Sequence, residues 1–370
     1  MPAKDLASRS VGYEALLVAS VFIRYLIGSM RLSPLAEQAD LVYFDGEAKS
    51  VLNSPTATGM GFWSINPYVG CAFACAYCYA PYAHRYVVDR TLAEEPNEDV
   101  RERFSELPPQ TAFSRRIIVK RNAAEVLRQE LAPGRAKRAA LERGEELVIG
   151  TATDPYQPAE RRFRITRSML EELTSVRSLS LCIITKSPLI ARDVDVLAHI
   201  AAHASVTVHL SLITLDRTLA RRIEPRAPTP ESRLRALRRL SDAGIEVGIN
   251  IMPVLPGITD SPLGIEALVR AVADAGAKYV HTCALRLQAA ARERYLPILA
   301  QEFPELKDRY AKAYARGYSV SDNYQQGLKR FVRRTCERFG IHYGSREDAD
   351  VQEVEAPQPA KQLELDLGLR

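Results

Sequence analysis

"GFWSINPYVGCAFACAYCYA", residues 61–80, decides how the chain is read. A short apolar run suited to a buried strand comes first, and Cys71, Cys75 and Cys78 follow in one tyrosine-flanked loop. The chain has six cysteines; the other three, Cys182, Cys283 and Cys336, are scattered without disulfide-like spacing. Such usage points to a reducing, cytoplasmic setting and to metal binding rather than a disulfide framework.

Outward from that run, five more apolar stretches of strand length recur with helical patterns between them: "LVIGTAT" (147–153), "LSLCIITK" (179–186), "VTVHLSLI" (206–213), "IEVGINIMP" (245–253) and "YVHTCAL" (279–285). Continuous apolar strands alternating with helices indicate an α/β fold, its parallel strands covered on both faces or closed into a barrel. In "TPESRLRALRRLSDAG" (229–244), Thr229 caps, Pro230 suits the first helical position, Leu234, Leu237 and Leu240 form the buried stripe, and Gly244 ends the helix. Arg235, Arg238 and Arg239 fall on the opposite face, a solvated surface or a basic ridge.

At 370 residues with 46% hydrophobic content, the chain can bury a sizeable core. Its net charge of +5, carried mostly by arginine, permits phosphate contact without requiring it. The apolar stretch "YEALLVASVFIRYLIGSM" (13–30) is interrupted by Glu14 and Arg24 and is expected to be a peripheral helix or an over-long start, with Met30 as an alternative initiator; no membrane partner is expected. The expected organisation is an N-terminal extension over 1–44, a barrel over 45–288 with an insertion at about 85–145, C-terminal helices over 289–344, and a disordered tail over 345–370. Within the insertion, "RRIIVKRNAAEVLRQELA" (115–132) predicts one extra strand and helix.

The cysteine loop allows three metal readings. With His84, the three thiols make a four-ligand zinc set, although C-x3-C-x2-C-x5-H is not a usual finger spacing. An ordinary iron–sulfur cluster would need a fourth thiolate from elsewhere, and Cys182 and Cys283 lie in predicted strands where a small buried residue is the ordinary expectation. The third reading takes the asymmetry at face value: three thiolates hold three irons of a cubane and leave the fourth open to a chelating small molecule.

C-x3-C-x-aromatic-C after a first β-strand, with Tyr77 as the aromatic, resembles the radical S-adenosylmethionine superfamily. The resemblance implies a partial (β/α)6 TIM-like barrel and a 4Fe-4S cluster on Cys71, Cys75 and Cys78. It further implies S-adenosyl-L-methionine on the open iron, a reduced ferredoxin- or flavodoxin-type electron donor, and a 5′-deoxyadenosyl radical that abstracts hydrogen from a substrate. "GTATDPYQPAE" (150–160), "ITKSP" (184–188), "HLSLIT" (209–214), "RRIEPRAPTPESR" (221–233) and "MPVLPGITD" (252–260) are similar, in order, to the spore photoproduct lyase-like group, over roughly residues 45–340.

That group's pattern implies roles for particular positions. Thr153 and Asp154 fall where the family contacts the amino end of the cofactor, Lys186 where it meets the cofactor carboxylate, and Ser211 near the ribose or carboxylate. Tyr77 is a cofactor contact, while Glu224, Arg226 and Asn250 are open between site and structural roles. The tyrosines Tyr77, Tyr79, Tyr82 and Tyr86 suit adenine stacking, hydrogen-atom relay or packing. Thr151 stands where spore photoproduct lyase proper keeps a hydrogen-donating cysteine, and its O–H bond is too strong for that role. Tyr79 and Thr151 are therefore the candidate catalytic positions, and either a tyrosine or a different reaction replaces the thiol.

The tail segment "QLELDL" (Gln362–Leu367) resembles the peptides by which bacterial DNA-maintenance enzymes dock on the sliding clamp. Together with "SRRIIVKR" (114–121) and "RRFRITR" (161–167), it makes a nucleic-acid base the leading substrate class. Radical modification of a protein or small molecule, or a non-catalytic metal-binding protein tethered to DNA, are the alternatives.

Overall fold

A computed structural model describes residues 32–38, 40–81, 88–89, 91–93 and 95–344. The apolar stretch at 13–30, Tyr82, His84, Tyr86 and the tail with its Gln362–Leu367 segment lie outside the described residues.

Six parallel strands form the centre: β4 (Trp63–Ile65), β7 (Glu146–Ile149), β8 (Ser180–Thr185), β9 (Ser205–Ser211), β10 (Glu246–Val254) and β11 (Tyr279–Ala284). They occur in the six places that the sequence indicates. β3 (Leu52–Asn53) flanks one edge and β12 (His342–Tyr343) the other, so the sheet is an open, partial barrel in the order β12-β11-β10-β9-β8-β7-β4-β3.

Alternation along these strands separates two environments. Val208 and Leu210, Val247, Ile249 and Ile251, and Val280 are fully buried. Helices Val194–Ala201, Pro230–Asp242 and Asp322–Arg338 pack on β9, β10 and β11 respectively. The other face carries Lys186 just beyond β8, His209 and Ser211 on β9, Asn250 on β10, and Tyr279 and His281 on β11. Register pairs Ser211 with Asn250 and Asn250 with His281, so this polar face lines the barrel interior. His209 Nε2 and the Tyr279 hydroxyl are 2.7 Å apart. To reach His209 on β9, Tyr279 crosses β10 at Gly248, where a Cβ would lie 2.1 Å from the ring.

A second sheet, in the order β1-β2-β6-β5, joins β1 (Leu32–Gln38), β2 (Leu41–Gly46), β5 (Tyr68–Val69) and β6 (Arg116–Lys120). The insertion's expected strand is β6, followed by helix Ala123–Glu130. Residue 45, where the extension was expected to give way to the barrel, falls within β2, and β2 pairs in parallel with β6. Helices Ala289–Glu302, Lys307–Ala313 and Asp322–Arg338 complete the described chain before β12.

Candidate active site

β5 leads into the cysteine loop at Gly70, whose φ is +91°. A Cβ at Gly70 would lie 2.7 Å from the Phe113 carbonyl oxygen, a clash that glycine avoids. The next amide, Cys71 N–H, donates to that same Phe113 carbonyl at 2.9 Å. Gln157 then holds both flanks of Cys71: its Oε1 accepts from Ala72 N–H at 2.9 Å, and its Nε2 donates to the Gly70 carbonyl at 3.0 Å. Thr153 Oγ1 also donates to Gly70 O, at 2.5 Å. Further along, Ala76 N–H donates to Ile223 O at 2.8 Å, Arg226 N–H to Phe73 O at 3.3 Å, and Arg294 Nε to Cys75 O at 2.9 Å.

The three thiols lie close enough to influence one another. Burial pushes Cys71 up, with Asp154, Cys75 and Cys78 adding to the effect. Cys75 is pushed up to about 12 by burial, opposed by Lys186, and Cys78 is raised by burial against Arg294. With their pKa values raised, the three thiols hold their protons near neutral pH; binding a metal centre would replace those protons. Among the described residues, no group of three or more His, Cys, Asp or Glu side chains is arranged to hold a metal ion. A cubane distributes its thiolates over separate irons, so convergence on one point is not what this donor set requires.

Thr151, Thr153 and Asp154 lie in the loop beyond β7 rather than within the strand that "LVIGTAT" suggests. Asp154 is used within the fold: Oδ1 accepts from Tyr156 N–H at 2.9 Å and Thr185 Oγ1 at 2.7 Å, and Oδ2 from Lys186 N–H at 2.7 Å. Burial raises its pKa against these bonds. Lys186 places its ammonium over the Tyr77 ring, 5.7 Å from the centroid. Burial works against that charge, but Cys75 and Glu224 hold it above the ordinary lysine range. Among the described residues, the Asn250 Oδ1 is buried without a hydrogen-bond partner. The Lys186 ammonium near Cys75, with Ser211 and Asn250 on the same polar face of the barrel, fits a zwitterionic ligand with a polar sugar.

Tyr79 and Thr151 do come together, though through the backbone: Tyr79 Oη donates to the Thr151 carbonyl at 2.5 Å. The Thr151 hydroxyl instead accepts from Asn66 Nδ2 at 3.1 Å, while Asn66 Oδ1 accepts from Ala152 N–H at 2.8 Å. Tyr77 Oη donates to Glu224, which is ion-paired with Arg233. The glutamate carboxyl is lowered: burial opposes ionisation, and Arg233 and Lys186 outweigh it.

The sequence reading did not single out Asn66, Gln157, Arg233 or Arg294. Asn66 and Gln157 lie inside the motifs already quoted, and Arg233 has the spacing of the buried stripe in its helix. Arg294 has no local signal.

An open parallel barrel with three thiols on the loop entering it defines a class of α/β enzyme built around a metal cofactor. The Radical SAM superfamily matches residues 65–269, more than half of the chain, and the chain belongs to that superfamily. It is a radical S-adenosylmethionine enzyme, whose family cofactors are a 4Fe-4S cluster and S-adenosylmethionine. Relatives include the uncharacterised protein Rv2578c of Mycobacterium tuberculosis, 34% identical over 318 residues, covering 85% of this chain and 86% of the relative. Another is the uncharacterised protein MJ0683 of Methanocaldococcus jannaschii, 28% identical over 214 residues and covering 58% of this chain and 68% of the relative. Among solved structures, a spore photoproduct lyase mutant with bound AdoMet and dinucleoside spore photoproduct shares the fold. Its TM-score is 0.52 at 16% identity, covering 76% of this chain and 75% of that one. Among the described residues, no helix is long and apolar enough to cross a membrane.

Proposed function

We propose that Cys71, Cys75 and Cys78 hold the cluster through three thiolates and that the enzyme acts on a damaged or modified nucleic-acid base. The observation that carries the first part is the clamping of the loop by Gln157, Thr153 and Arg294 around three mutually close thiols, with the Lys186 ammonium near Cys75. When bound, the cluster and S-adenosylmethionine supply a 5′-deoxyadenosyl radical for hydrogen abstraction. Lys186 and Ser211 bind the polar end of the ligand, Tyr77 contacts it, and Thr153 and Asp154 shape its pocket through the loops they fasten. Tyr79, 40% exposed beside Thr151, is the group that returns a hydrogen atom to a substrate radical. Its phenolic O–H is weaker than the Thr151 alcohol, so the tyrosine takes the role that threonine cannot.

The nucleic-acid assignment is supported by the shared fold of a nucleotide-lesion enzyme and by the Arg-rich segments. Docking of the Gln362–Leu367 segment on a sliding clamp, reduction by a ferredoxin- or flavodoxin-type donor, and a cytoplasmic location belong to the same reading.

Anaerobic reconstitution tests the cluster. About four irons per chain and dithionite-dependent 5′-deoxyadenosine are expected, and Cys75→Ala should abolish both. A wild-type protein that binds no iron and forms no 5′-deoxyadenosine overturns the reading. For the substrate, deuterium from labelled DNA or RNA should enter 5′-deoxyadenosine; transfer only from a labelled protein or metabolite would establish the alternative.

A further inference from the structure

A buried charge pair stands directly behind the cysteine loop. Glu224 and Arg233 are ion-paired, with both side chains 1% exposed. The pair is fixed from several sides. Arg233 Nη1 donates to Ser211 O at 2.9 Å and its Nε to Pro228 O at 3.0 Å, while Glu224 accepts from Tyr77 Oη. The backbone on either side of Glu224 is bound to the loop, since Ile223 O accepts from Ala76 N–H and Arg226 N–H donates to Phe73 O. Glu224 therefore cannot move independently of Cys75, and Lys186 lies over the Tyr77 ring that the glutamate holds.

Placing two full charges in the interior is costly unless each is closely matched, and hydrophobic replacements often stabilise a protein more. A structural purpose alone would not require ions close to the Cys75 thiol, on which both charges act. Fixed charges, hydrogen bonds and burial around an iron–sulfur cluster set its reduction potential. We propose that Glu224 and Arg233 are positioning residues for the radical centre: held through Tyr77 and the 223–226 loop, their opposite charges set the potential at which the cluster accepts its electron. The inference rests on the three-thiolate reading above.

The test is an EPR-monitored redox titration of the anaerobically reconstituted full-length protein and its variants. Glu224→Gln removes the negative charge while retaining groups for Tyr77 and Arg233, so the cluster should become easier to reduce. Arg233→Met removes the positive charge, leaves Glu224 opposite Lys186, and should make reduction harder. Each shift should reach about tenfold in the reduced-to-oxidised ratio at fixed applied potential, about 59 mV for a one-electron couple. The neutral double variant, which leaves no isolated ion and guards against misfolding of the singles, should return close to the wild-type potential. Tyr77→Phe keeps both charges and should move the potential less than either single change. Equal potentials in all variants, or single variants shifting in the same direction, overturn the inference while leaving the cluster reading intact. A wild-type protein that binds no cluster overturns both.

Discussion

Gln157 illustrates how one side chain fixes the shape of the cysteine loop. It is fully buried and satisfies a donor and an acceptor on opposite sides of Cys71, so its replacement exposes no water that could compensate. Gln157→Ala leaves the Ala72 N–H without a partner, removes one of the two donors to the Gly70 carbonyl, where Thr153 remains, and opens a cavity. The expected loss of stability is about 3 kcal/mol, from the cost of an unsatisfied buried group and lost packing. Denaturant unfolding measures that loss, and iron per chain after reconstitution should fall more than the folded fraction does. A variant with wild-type stability and iron content would show that the clamp is dispensable. The residue types of this clamp were visible in "GTATDPYQPAE", but their partners were not. Thr153 and Asp154, which the family resemblance implies near the amino end of the cofactor, have oxygens that bond to Gly70, Thr185 and the Tyr156 and Lys186 amides, contacts that arise only when distant loops meet.

At the scale of elements, the strands were legible because their apolar residues are continuous, while the use of their polar residues depends on register. The sequence placed His209 and Tyr279 on different strands, and only the barrel brings them into contact across Gly248. Gly248→Ala should drive the Tyr279 ring from its place and break its bond to His209, costing about 2–4 kcal/mol in thermal or denaturant unfolding. Unchanged stability would mean that the ring has another position of equal energy. Burial and then His281 depress His209 to about 3, so it folds as a neutral imidazole. The unfolded chain takes up a proton near pH 6.5 that the native state takes up only near 3, so this contribution to stability is lost as pH falls across that interval. His209→Gln should therefore flatten the stability–pH curve there; an unaltered slope would assign the acid sensitivity to other groups. The helix Pro230–Asp242 was also legible, with Thr229 and Pro230 starting it as expected. Its stripe includes Arg233 along with Leu237 and Leu240, while Leu234 is only half-buried. A residue-type reading assigns arginines to solvent; spacing alone would have placed Arg233 inside, but only its glutamate partner explains why it can remain there.

At the scale of the whole molecule, the cysteine loop is where separately organised parts meet. β5 ties its start to the second sheet, the segment after β7 clamps Cys71, and a helix more than two hundred residues later in the chain closes over Cys75. The second sheet was largely hidden in the sequence because β5 has only two residues and β2 falls in what reads as a terminal extension. The C-terminal clasp was hidden because Arg294 lies in a helix with no motif around it. Arg294 bonds to Cys75 O at 2.9 Å and to Gln110 O at 2.7 Å, joining the helix Ala289–Glu302, the insertion and the loop through one guanidinium. Charged donors to carbonyls contribute about 1.5–3 kcal/mol each, so Arg294→Ala should release a local unit before it unfolds the barrel. Hydrogen–deuterium exchange should then quicken together in residues 71–78 and 108–112 while β8, β9 and β10 keep their protection. Arg294→Lys retains the charge but cannot span both carbonyls in the same fork, so it should restore only part of that protection. Faster exchange across all the barrel strands would make Arg294 a general support of the fold, and no change at either segment would show that the loop is held without the C-terminal helix.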